Sequence, residues 1–160
     1  MKRKIGEIEI GEYAFLSDPC YGKYSAHNST IGTIKGVYNV FITRCESIDD
    51  FYKGRISNIY VIHKDYYKKD KTQPNDDKEN LHCFVDSGTC GIFDAEYFEK
   101  FHTDDDVDDD WYEKFVINMD DYIITEGKGA ISSSGIGDGC YKVYAKYDKG
   151  NAYAIRIKFL

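Results

Sequence analysis

No apolar run in the chain approaches the roughly 20 residues that a membrane-spanning helix needs. The basic opening Met1-Lys2-Arg3-Lys4 passes at once into Ile5-Gly6-Glu7-Ile8-Glu9. It therefore lacks the apolar stretch of a secretory signal, and a cytoplasmic location is expected. Positive charge is also short, with 21 Lys and Arg against 28 Asp and Glu and a net charge of −7. A general nucleic-acid binder needs a basic face to displace counterions, and anionic membranes attract basic segments, so neither is an expected partner. The five cysteines, Cys20, Cys45, Cys83, Cys90 and Cys140, include no C-x-x-C pair. A structural zinc site built on Cys20, Cys90 and Cys140 with His63 or His82 would lack the usual paired spacing, so buried, reduced thiols are the expectation. The sequence holds no long repeat, no heptad pattern and no strand–glycine–helix dinucleotide unit. Neither a metal nor a cofactor is expected.

What is abundant is aromatic. The 160 residues include 15 Tyr and 9 Phe against 2 Met and 1 Trp. Such residues favour pleated, half-buried surfaces, and tyrosine also suits binding surfaces because its ring packs while its hydroxyl stays wet. A chain of this length buries roughly two-thirds of its unfolded surface, enough for one core, and residues 1–160 are expected to form a single domain.

Alternation predicts a strand over Ile5–Ile10 and short apolar runs predict strands over Tyr13–Leu16, joined to the first at Gly11-Glu12, then over Gly36–Arg44, Ile56–His63 and Leu81–Val85. Further strands are expected over Gly129–Ser133, Cys140–Tyr147 and Ala152–Leu160. Residues 22–33 and the polar stretch 65–80 read as loop, the second as a tolerated insertion or a flap. Asp94 is a good helix cap with Phe93 and Phe98 placed as a hydrophobic staple, and Asp110-Trp111-Tyr112-Glu113 resembles a capping box. The second helix has an apolar face of Trp111, Phe115, Val116 and Met119. The fold class expected is α+β, mainly β: a twisted antiparallel sheet or sandwich carrying two short helices.

Three loops concentrate Asp, Cys, Ser and Gly: Asp18-Pro19-Cys20-Tyr21, Asp86-Ser87-Gly88-Thr89-Cys90-Gly91, and Ser132-Ser133-Ser134-Gly135-Ile136-Gly137-Asp138-Gly139-Cys140-Tyr141. With Val85 before the second of them and Ser17 before the first, these motifs together resemble an uncharacterised family of bacterial and phage proteins, domain of unknown function 4241. That resemblance implies no activity. The last loop has the glycines to aim backbone N–H groups at an anion, but lacks the Gly-Lys-Ser/Thr ending of a phosphate-binding loop. A tight hairpin with a primed turn at Asp138-Gly139 explains it equally. The aspartates would bind Mg²⁺ or Ca²⁺ if they converged, or serve their local turns if they did not.

The candidate ligand-binding residues are Asp18, Tyr21, Asp86, Ser87, Ser133, Ser134, Gly135, Gly137, Asp138 and Tyr141. No catalytic residue is assigned. The function expected is a non-enzymatic intracellular binding module of bacterial or phage origin. It would take a small polar ligand or a protein partner at one end of the sheet, in immunity or counter-defence. One alternative is a small hydrolase or metal-dependent enzyme using Asp86 and Asp138 with Ser133 and Ser134. Another is an acidic inhibitor acting through Asp104–Asp110, a run that otherwise serves as a solvated helix lead-in.

Overall fold

A computed structural model of the chain describes residues 1–23, 25, 27–75 and 81–160. The strands are β1 (Lys2–Ile10), β2 (Tyr13–Ser17), β3 (Ser29–Gly32), β4 (Gly36–Arg44), β5 (Ile56–His63), β6 (His82–Val85), β7 (Thr89–Asp94), β8 (Tyr122–Thr125), β9 (Gly129–Ser133), β10 (Gly139–Asp148) and β11 (Asn151–Lys158). They build two antiparallel sheets, one ordered β1-β4-β5-β11-β10-β6 and the other β3-β2-β7-β9-β8. The fold is mainly β and sandwich-like, with three short helices: α1 (Lys64–Tyr67), α2 (Ala95–Phe101) and α3 (Asp109–Tyr112). None of the described helices is long and apolar enough to cross a membrane.

Strand periodicity sorts side chains between layers. Ala14 and Leu16 of β2, Val40 and Ile42 of β4, and Ile155 and Ile157 of β11 point into the core shared by the sheets. The residue between the first pair, Phe15, turns the other way and packs with Phe93, Phe98, Trp111 and Phe115 under α2 and α3. The residue between the second pair, Phe41, joins Tyr60, Ile62 and Ala154 on the outer face of the six-stranded sheet. Both faces of β2, β4 and β5 are therefore largely buried, whereas β10 turns one face outward.

Several expectations need correcting. The segment 22–33 ends in β3, a four-residue edge strand paired with β2. Its polar Ser29-Thr30 start hides it from any hydrophobic pattern. Within 65–80, residues 65–72 are no free flap. They open with α1, and Asp70 and Thr72 are then fastened to β10 by Lys146, whose Nζ lies 2.5 Å from Asp70 Oδ2 and 3.2 Å from Thr72 O. The remainder of that stretch, 76–80, lies outside the described residues. Asp94 caps α2 as expected, accepting the Tyr97 N–H at 3.1 Å, and the staple rings of Phe93 and Phe98 are 5.1 Å apart. The next helix is capped by Asp108 rather than Asp110. The Asp108 N–H is bonded to Phe101 O and fixes the start there, and a π-helical turn follows over Glu113–Ile117. Strand β8 had no expectation.

The thiols also depart from expectation, because Cys83 and Cys90 form a disulfide. They lie on β6 and β7, which belong to different sheets, so the bond ties one sheet to the other across the core. Cys20, Cys45 and Cys140 are free. A spacing of seven residues carries no sign that the chain between them changes sheets.

Candidate functional site

The chain passes between sheets at β6–β7 and again at β9–β10, and both crossings lie at the end where β2 stops at Ser17. The Ser/Gly loop is therefore a crossover, not the expected hairpin, since β9 and β10 lie in different sheets. Its left-handed residues are Gly135 (φ 77°) and Gly137 (φ 103°), not Asp138-Gly139, so there is no primed turn. At Gly135 a Cβ would sit 2.2 Å from the carbonyl oxygen of Ile56, so only glycine fits that backbone.

Asp18 organises the three loops. It is fully buried, directly after β2. Oδ1 accepts the N–H of Cys20 at 2.8 Å, the local turn expected before Pro19, and also the Ser87 hydroxyl at 2.7 Å. Oδ2 accepts the N–H groups of Asp86 and Ser87 at 2.7 and 2.6 Å. Four donors compensate the desolvation of this carboxylate. From the other side, Asp138 Oδ1 accepts the Gly88 N–H at 3.0 Å, and Gly88 O accepts the Ser134 N–H at 2.9 Å. The loops at Asp18, Asp86 and Asp138 thus converge as one hydrogen-bonded plate.

The plate spends most of its polar groups on itself. Ser134 is fully buried, donates to Gly137 O at 2.5 Å and accepts the Gly137 N–H at 3.1 Å. The hydroxyl of the buried Tyr141 also donates to Gly137 O, at 2.6 Å. The N–H groups of Asp86, Ser87, Gly88 and Gly137, which would cradle an anion, already point at the protein's own oxygens. Ser133 and Gly135 face elsewhere, lining a groove of about 410 Å³ with Arg44, Lys53 and Arg55. The ten candidates therefore divide: Asp18, Tyr21, Asp86, Ser87 and Asp138 meet at the plate, Ser133 and Gly135 turn to the groove, and Ser134, Gly137 and Tyr141 hold the crossover in shape.

What remains exposed at the plate is acidic and aromatic. The Asp86 and Asp138 residues are exposed. Burial, then the charge of Asp86, with Cys20, Asp18 and Asp138 behind it, pushes the Tyr21 hydroxyl up to about 12 and places that ring among the carboxylates. His27 lies 5.1 Å from Tyr21 and 5.2 Å from the exposed Phe84, extending a row of rings. Tyr112 of α3 brings its hydroxyl toward Ser87. Burial and the neighbouring Asp18 push the Cys20 thiol up to about 12, which keeps it protonated and a poor nucleophile.

The acidic run adjoins the same surface. A Cβ on Gly22 would strike the carbonyl oxygen of Asp104 at 2.5 Å, so the two loops touch backbone to backbone. The Lys23 N–H donates to Thr103 O at 2.8 Å, and the buried His102 ring places Nε2 2.9 Å from Pro19 O. In sequence the acidic run and the three loops stand apart as separate candidates, and no motif marks His27, Phe84 or Tyr112. The only local hint was a glycine at position 22. Among the described residues, no three His, Cys, Asp or Glu side chains are grouped so as to hold a metal ion. Compared with known proteins, the chain matches no family model, no curated protein and no solved structure.

Proposed function

We propose that the protein is a non-enzymatic binding module whose loop end takes a protein partner through a basic segment. The observation that carries this reading is the exposed pair Asp86 and Asp138, set around Tyr21 beside the rings of His27 and Phe84 and against the acidic run from Asp104. Carboxylates attract lysine and arginine, and aromatic faces accept their alkyl stems and cationic heads. The net charge of −7 steers such a partner inward. A hydrolytic role has less support, because Ser134 is engaged inside its own loop and the Cys20 thiol stays protonated. A bacterial or phage source and a task in immunity or counter-defence rest on the motif resemblance and on analogy.

The test is titration of isotope-labelled protein with a lysine- and arginine-rich decapeptide, followed by amide chemical shifts. The expected shifts centre on Tyr21, Asp86, Gly88 and Gly139 and weaken as salt is raised. Replacing Asp86, Asp104 and Asp105 together by Asn should remove the binding. Shifts centred elsewhere, or undiminished binding by that variant, would overturn the reading.

A further inference from the structure

A separate cleft shares no residue with the loop end. It lies between α1 and the start of β4 on the outer face of the six-stranded sheet, with a volume of about 730 Å³. That is in the range of small-ligand sites. Asn39 of β4 lines it. This residue is 5% exposed, and its Oδ1 has no hydrogen-bond partner. A buried amide oxygen left unpaired is destabilising, so an occupant that brings an N–H or O–H donor gains there. Lys35, Lys64 and Lys68 stand around the opening. Lys64 and Lys68 each hold one carboxylate, Glu7 and Asp65, both at 3.2 Å, and Lys35 adds a third cation from the β3–β4 link. The wall is aromatic: Tyr66 is fixed by stacking on Tyr153 at 4.4 Å and His63 stands edge-on to it at 5.6 Å. Gly36 lets the His63 ring pack directly on the backbone at the start of β4, since a Cβ there would lie 2.3 Å from Nε2.

Each feature narrows the occupant. An inorganic anion would pair with Lys35 and leave Asn39 unpaired. An apolar molecule would satisfy neither. The occupant must be flat, donate a hydrogen bond at one edge and carry negative charge at the other. We propose that the cleft binds a nucleotide with an amino-bearing purine. The Asn39 amide would pair with the exocyclic amine and N7, a donor–acceptor edge that the oxo purine lacks, while Lys35, beside the ion-paired Lys64 and Lys68, takes the phosphate.

The experiment is calorimetric titration of the full chain with adenosine monophosphate, inosine monophosphate, adenosine and inorganic phosphate. Adenosine monophosphate should bind, and the inosine form, which replaces the amine by an oxo group, should bind at least about tenfold more weakly. Asn39→Leu should remove that preference, and Lys35→Ala should weaken the nucleotide several-fold while leaving adenosine unchanged. Equal binding of the adenine and inosine forms, or no heat from either at millimolar concentration, would overturn the proposal. That comparison uses the unaltered protein and stands even if Asn39→Leu fails to fold. Loss here leaves the loop-end reading untouched, because no residue is shared.

Discussion

The carboxylate of Asp18 accepts both the N–H and the hydroxyl of Ser87, at 2.6 and 2.7 Å, from a residue 69 positions further along the chain. This one pair fixes where the β6–β7 crossover lies against the end of β2, and through Gly88 it reaches the Ser/Gly loop. Truncating the acceptor leaves several buried donors without partners, each a cost of about 1–3 kcal/mol. Asp18→Ala should therefore lower unfolding stability by roughly 3 kcal/mol or more, and Ser87→Ala by about 1 kcal/mol. Urea titration measures both. Similar small losses for the two would show that the carboxylate is not the hub.

Cys20 follows from the same arrangement. A thiol pushed up to about 12 by burial and by Asp18 has about one part in ten thousand as thiolate at pH 8. Brief iodoacetamide treatment, read by peptide mass mapping, should modify the exposed Cys140 well before Cys20. Asp86→Asn removes one of the charges that raise the Cys20 value, so it should speed modification a few-fold. Equal labelling of Cys20 and Cys140 in the unaltered protein would contradict the buried thiol.

Lys146 and Thr72 hold the Asp70 carboxyl well below the usual range, Lys146 first. The sign follows from proton binding: the unfolded chain takes up the proton more readily, so the contribution is complete above the ordinary carboxyl value and fades as pH falls below about 4. Asp70→Asn should lower stability at pH 7 by less than about 1 kcal/mol, as for exposed ion pairs. The difference from the unaltered protein should shrink in melts below pH 4. A gap that stays undiminished from pH 7 down to pH 2 would assign the loss to shape rather than charge.

Much of the fold is legible because it depends on neighbours in sequence. The apolar runs of β4 and β5, the alternation in β11, the Asp94 cap and the Phe93–Phe98 staple are local signals, and each has its structural counterpart. Alternation tells which face a side chain takes but not which sheet its strand joins. Hence Gly129–Ser133 and Cys140–Tyr147 read as a hairpin although they lie in different sheets. The Cys83–Cys90 pairing fails for the same reason, since it needs the crossover that periodicity does not show. At the site, the aspartates were visible but not their division of labour. Asp18 reads as a local turn through Cys20, and nothing near it announces Ser87. The contact of Gly22 with Asp104, which joins the acidic run to the loops, is a meeting of backbones and leaves no side-chain pattern.

The crossover offers a last discrimination, between conformational strain and steric exclusion. Gly135 and Gly150 have nearly equal left-handed backbones, with φ of 77° and 84°. Alanine in that region costs about 1–2 kcal/mol wherever it stands. At Gly150 a Cβ meets nothing within 4 Å, whereas at Gly135 it meets a backbone oxygen at 2.2 Å. That oxygen belongs to Ile56 at the start of β5 and has no rotamer by which to withdraw. Gly150→Ala should therefore cost the strain alone, about 1–2 kcal/mol, and Gly135→Ala should cost at least about 2 kcal/mol more, as overpacking does. Urea unfolding of the two variants side by side measures the difference. Equal losses would mean that the Ser/Gly loop does not press against β5, and that its glycines serve only the turn.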